Sequence, residues 1–176
     1  MIKIRIYCNM KIESYNRMQA VKYAQKYALK RNDAYFDFSK LGGDCTNFCS
    51  QCLYAGSKQM NYTLDLGWYY KSSNNRAPAW SGVNQFYKFL TENIVINKIG
   101  EGYGPFAEVR NPAELDIGDF ILLGTSPNLF YHAVIIVGYK GKTPLVASHS
   151  YDVLNKPITD YDYQYAKGLH ILGVRK

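Results

Sequence analysis

Cys45 follows a glycine pair and an aspartate, in the run Gly42-Gly43-Asp44-Cys45-Thr46-Asn47-Phe48. The two glycines permit the positive φ angles of a sharp loop, and Asp44, Thr46 and Asn47 are residue types that cap helix starts. Cys49, Cys52, Leu53 and Ala55 then recur at helical spacing up to Gly56, where the helix is expected to stop. A cysteine on the first turn of a helix meets unpaired backbone N–H groups and the positive end of the helix dipole. That setting is expected to lower its pKa from about 8.5 and favour the nucleophilic thiolate. The backbone N–H of Cys45 is, at the same helix end, the natural oxyanion donor for acyl chemistry. Cys45 is the candidate nucleophile.

Thiolate catalysis also needs a histidine within hydrogen-bond reach and a polar group that holds the imidazole. The chain has three histidines. His132 begins the strongest strand pattern, Tyr131 to Tyr139, and His149 closes the next one, Pro144 to His149. A hairpin through Gly141 would lay the two strands side by side. His170 sits in a terminal apolar strand, 168–174, without polar company. The orienting role is open among His149, Ser148, Ser150 and Asp152, which differ in facing by the strand's period of two.

Cys45, Cys49 and Cys52 also have the C-x3-C-x2-C spacing with which radical S-adenosylmethionine enzymes hold an iron–sulfur cluster. The chain is too short for the barrel of those enzymes, and the three cysteines fall in helical register along one face, a poor tetrahedral site for zinc. No metal or cofactor is expected, and Cys49 and Cys52 read as small core residues. With Cys8 they make four cysteines, three within one helix where neighbouring side chains pair poorly, so free thiols are expected and not a disulfide framework.

The elements that must position these groups fall into two halves. Ser14 to Lys30 carries a helical apolar stripe opened by Ser14 as cap, the cysteine helix follows, and Ser81 to Asn93 reads as a third helix. The segment 57–78 is polar and aromatic, with Trp68-Tyr69-Tyr70 and a loop at 72–75. Ile94 to Pro112 reads as loop with a possible short strand. From Asp119 onward the pattern is antiparallel β. Helices first and strands afterwards predict one α+β domain over 14–176, with residues 1–13 as an extension or short strand.

The chain has 176 residues and 21 basic against 14 acidic groups, net +7. That balance favours anionic partners such as a cell-wall polymer, while the absence of a basic run argues against nucleic acid. No apolar run approaches the roughly 18 residues of a membrane span. The first eleven residues alternate apolar with basic ones and lack the continuous apolar core of a secretory signal.

The stretch Gly43-Asp44-Cys45-Thr46-Asn47-Phe48-Cys49-Ser50-Gln51-Cys52-Leu53-Tyr54-Ala55-Gly56, with the helix around Tyr15-Asn16-Arg17, resembles the bacterial "putative amidase domain" family. Gly67-Trp68-Tyr69-Tyr70, Trp80-Ser81, Leu115-x-x-Gly118-Asp119-Phe120 and His132-Ala133-Val134 follow in the family's order, so the resemblance spans about residues 14 to 175. The family is grouped with the NlpC-like and CHAP papain-type cell-wall hydrolases. The resemblance implies a papain-like core, with N-terminal helices packed on a C-terminal antiparallel sheet. It implies Cys45 as nucleophile and His132 as general base and acid. By position, His149 becomes the third member, with Ser148 and Asp152 still in play.

The activity so implied is hydrolysis of a peptidoglycan amide through a thioester, either between muramic acid and L-alanine or within the stem peptide. It would occur at the bacterial wall or outside the cell, by an export route the sequence does not specify: a phage endolysin, a separately exported toxin or a piece of a longer chain. The alternatives are another papain-like acyl hydrolase or transferase, or a non-catalytic wall-binding module. Trp68, Tyr69, Tyr70 and Trp80 are candidates to line a glycan or peptide groove; packing of the middle segment onto the core is the competing reading.

Overall fold

The computed structural model describes residues 10–93 and 102–176; residues 1–9 with Cys8, and 94–101 of the expected 94–112 loop, lie outside them. The order of elements is β1 (Ile12–Glu13), α1 (Arg17–Tyr27), α2 (Cys45–Ser57), β2 (Tyr70–Ser72), β3 (Asn75–Arg76), α3 (Pro78–Ser81), α4 (Val83–Glu92), β4 (Gly104–Arg110), β5 (Phe120–Ser126), β6 (Leu129–Lys140), β7 (Thr143–Ser148), β8 (Val153–Pro157) and β9 (Tyr165–Arg175). It is an α+β chain with a large antiparallel sheet.

Seven strands form the main sheet, in the order β1-β9-β5-β6-β7-β8 with β4 also on β9. β9 takes β5 along 165–169, β1 at 174–175, and β4 along 168–175. Alternation along the strands separates two apolar layers. Ala133, Ile135 and Val137 of β6, with Phe120, Leu122 and Ala147, pack under α1, α2 and α4. Val134 and Ile136, with Ile121, Leu123 and Val146, face away from the helices and are covered by Leu115 and Ile158. Among the described residues no helix is long and apolar enough to cross a membrane.

Several boundaries differ from the sequence reading for local reasons. The first helix is capped by Asn16, whose Oδ1 accepts from Gln19 N at 3.1 Å, and not by Ser14. The cysteine helix runs past Gly56 and ends at Lys58 in the left-handed region. Gly56 is instead a point of close approach: a Cβ there would lie 2.3 Å from the Tyr15 ring. The expected helix at 81–93 is two helices, because Gly82 at φ −105, ψ 124 leaves the helical region between Pro78–Ser81 and Val83–Glu92. The 72–75 loop is the tip of the β2–β3 hairpin, and the short strand suspected within 94–112 is the seven-residue β4.

Tyr15, Arg17 and the Leu-x-x-Gly-Asp segment meet in one buried knot. Asp119 accepts from Ile171 N at 2.9 Å and Asp116 N at 2.9 Å, and lies 2.5 Å from Arg17 Nη1 and 2.7 Å from His170 Nδ1. His170 therefore has polar company that its strand neighbours do not reveal. Asp116, Asp119 and His170 bring ligand atoms within 4.8 Å of one another, and the Arg17 guanidinium already supplies the positive charge that a buried carboxylate demands. The knot ties α1 to β5 and β9, and so sets where the helices sit over the sheet.

Candidate active site

Gly42 and Gly43 take φ values of +101 and +120, which deliver the chain into α2 with Cys45 as its first residue. A Cβ on Gly43 would meet Ser150 Oγ at 3.2 Å, and that same hydroxyl accepts from Asp44 N at 2.7 Å. The glycine turn is thus pressed against the loop after β7. Cys45 is 8 % exposed, and its sulfur receives the backbone N–H groups of Ala133 and Thr46. Its own N–H lies among the unpaired donors of the helix start.

His132, also 8 % exposed, lines the same cleft of about 500 Å³ as Cys45, together with Ser39, Gly42, Gly43, Tyr131, Ser150 and Tyr151. Alternation puts His132 on the sheet face opposite the helices, where its ring lies 5.7 Å from that of Tyr161. Cys45 comes up to β6 past the end of β7, where Ala133 is free to bond the sulfur. Cys45 and His132 thus meet the cleft from the two sides of β6.

Electrostatics corrects one expectation. Burial pushes the Cys45 thiol up, against the pull of the Ala133 and Thr46 N–H groups. Desolvation outweighs the helix end, because a sulfur almost out of water gains less from amide dipoles than it loses in hydration. Burial, aided by the Lys156 ammonium, pulls His132 down to about 4. At neutral pH the resting pair is therefore thiol and neutral imidazole.

His149 lies just beyond β7 on the helix side, stacked on Phe48 at 4.1 Å. Its Nδ1 lies 2.6 Å from Asp44 Oδ2 and its Nε2 2.9 Å from the Tyr27 carbonyl. Both ring nitrogens are committed, so the structure brings His149 to Asp44, the residue before Cys45, and not to His132. Asp152 is held by Arg31 at 2.9 and 3.1 Å. Ser148 shares the face of His132, and its Oγ is 3.3 Å from the Tyr161 hydroxyl.

Asp44 occupies the N-cap without capping. Its carboxylate accepts from Phe38 N at 2.9 Å and from Asn47 Nδ2 at 2.8 Å, besides meeting His149. Cys45, Cys49 and Cys52 are free thiols, and burial pushes the latter two well up.

Two of the expected groove aromatics are corrected. Trp68 and Trp80 are fully buried, and their indoles donate to Ser50 Oγ at 2.9 Å and Asn47 Oδ1 at 2.8 Å. They fix the polar face of α2 in an apolar setting, where an unpaired hydroxyl or amide would cost about 1–3 kcal/mol. Tyr69 is half-buried and stacks on Tyr62 at 5.1 Å. The cleft is walled instead by Tyr131 and Tyr151, isolated tyrosines in the sequence that no spacing singled out. Trp80→Phe is expected to lower the unfolding free energy by about 2 kcal/mol with KM unchanged. Denaturant titration beside kinetics checks this, and a raised KM at unchanged stability would return Trp80 to the groove.

A family model described as "Putative amidase domain" matches residues 14–172. The chain belongs to that family. Among curated proteins it is 35 % identical over 142 residues to "Uncharacterized protein YhbB" of Bacillus subtilis (strain 168), covering 78 % of this chain and 42 % of that protein. It is 27 % identical over 148 residues to "Uncharacterized protein YjcM" of the same strain, covering 83 % and 33 %. The chain spans less than half the length of either relative. No solved structure matches it.

Proposed function

We propose that this chain is a cysteine amidase acting on peptidoglycan. Membership of an amidase family supports amide hydrolysis; the observation that carries the cysteine assignment is the cleft shared by Cys45 and His132. A cysteine opening a helix, set against an antiparallel sheet that presents the histidine, is the arrangement of papain-like hydrolases. It supports kinship with the NlpC-like and CHAP enzymes. The net charge of +7 suits an anionic Gram-positive wall outside the producing cell.

In this reading the scissile carbonyl enters between Tyr131 and Tyr151. His132 takes the Cys45 proton as sulfur attacks, because neither group is charged at rest. The Cys45 N–H donates to the developing oxyanion. The imidazolium returns its proton to the leaving amine, and the thioester forms as the C–N bond breaks. Water, deprotonated by the same ring, then releases the acid and regenerates the thiol.

Digestion of purified Gram-positive peptidoglycan by wild type and Cys45→Ala, followed by mass spectrometry, tests this. Wild type alone is expected to release intact stem peptides, the products of a muramoyl–alanine amidase. Shortened peptides would make it an endopeptidase. Equal or absent release by both proteins would overturn the wall-hydrolase reading.

A further inference from the structure

We infer that the site recognises a free carboxylate on its substrate through Lys156, an inference that rests on the proposed hydrolysis of wall amides. Lys156 lies on β8 opposite Val146 and so shares the sheet face of His132. Its Nζ sits 4.0 Å from the centroid of the Tyr161 ring, and that ring lies 5.7 Å from the ring of His132. Tyr161 is itself anchored through its hydroxyl to Ser148. The ammonium thus lies one aromatic ring from His132, behind the residues that line the cleft itself.

Among the described residues Lys156 forms no ion pair. Arg31, by contrast, is occupied by Asp37 at 3.2 Å and Asp152 at 2.9 Å. A lone ammonium is an awkward neighbour for a general base, since it opposes the positive charge that His132 must carry in every turnover. It adds to the burial that already keeps the ring neutral. A substrate carboxylate docked on Lys156 cancels that opposition. The substrate's own charge then raises the proton affinity of His132 in the complex where the proton must be taken. The ligand class is an amide whose near neighbour in the chain bears a free carboxylate, which peptidoglycan stem peptides supply at their acidic residues.

The test uses one preparation of purified peptidoglycan, divided, with half amidated at its free carboxyls by carbodiimide and ammonia. Wild type is expected to cleave the untreated half about 10- to 100-fold faster, the span of one charge-assisted contact. Lys156→Met should cleave both halves at one common rate, and Lys156→Arg should keep the preference. Equal cleavage of both halves by wild type would overturn the inference and leave the wall-hydrolase reading standing. A preference that survives in Lys156→Met would overturn it too, placing carboxylate recognition elsewhere. Cleavage of neither half by wild type would remove the wall reading and this inference with it.

Discussion

Alanine at position 45 is expected to reduce amide hydrolysis by at least about 10⁴-fold, and glutamine at 132 by about 10³-fold. The double variant should be no worse than Cys45→Ala, because a base without a nucleophile has nothing to deprotonate. Steady-state kinetics on the released peptide measures all three. Additive losses would mean that the two residues serve separate steps. The resting protonation states give a second readout. With the Cys45 thiol pushed up by burial and no imidazolium beside it, alkylation by iodoacetamide should rise steadily from pH 7 to beyond pH 9. A plateau at neutral pH would reveal a preformed thiolate.

The same ring links stability to pH. His132 is held near 4 in the folded chain against an ordinary value of 6.5. Between those values the unfolded chain takes up a proton that the folded chain refuses. The contribution is complete above pH 6.5 and is lost as pH falls through 4, a change of about 3 kcal/mol. His132→Gln removes this part of the acid slope, so the wild-type and variant unfolding free energies should converge toward pH 4.

What the sequence made legible is what depends on short-range stereochemistry. The Gly42-Gly43 turn and the cysteine at a helix start follow from residues adjacent in the chain, and β6 from an unbroken apolar run. Facing decided the rest. His132 and His149 both read as strand-end histidines on adjacent strands, yet β7 stops at Ser148 and puts His149 on the helix side. No local pattern encodes where a strand stops pairing. Gly56 reads as a helix stop because nothing in the sequence shows the Tyr15 ring above it. The sequence leaves Trp68 and Trp80 open between groove and core because their polar partners, Ser50 and Asn47, sit on a helix more than 15 residues earlier. The thiol departs from its expected state for a related reason: the dipole of a helix start is visible in a sequence, and the burial that outweighs it is not.

His149→Ala is expected to cost about 3–5 kcal/mol of unfolding free energy, the usual span for truncating a large, fully buried side chain, here one that also leaves a buried carboxylate short of a partner. Asp44 and His149 are 0 % and 1 % exposed. The variant leaves the carboxylate with Phe38 N and Asn47 Nδ2 but without its shortest contact, and opens a void against Phe48. Asp44→Asn should cost less, about 1–3 kcal/mol. In the wild type the ring lies between two oxygens, the Asp44 carboxylate at Nδ1 and the Tyr27 carbonyl at Nε2. An asparagine amide can instead donate to Nδ1, and the neutral ring still serves Tyr27. The two losses should therefore not add. Once Asp44 is Asn, the contact that His149 makes is already altered, and a double-mutant cycle by denaturant titration should show coupling of about 2 kcal/mol. Because Asp44 and Cys45 are consecutive at the head of α2, the same variants report on the nucleophile. His149→Ala should lower kcat while leaving the His132-dependent acid slope of stability in place. Were His149 the partner of His132 instead, that slope would change as well.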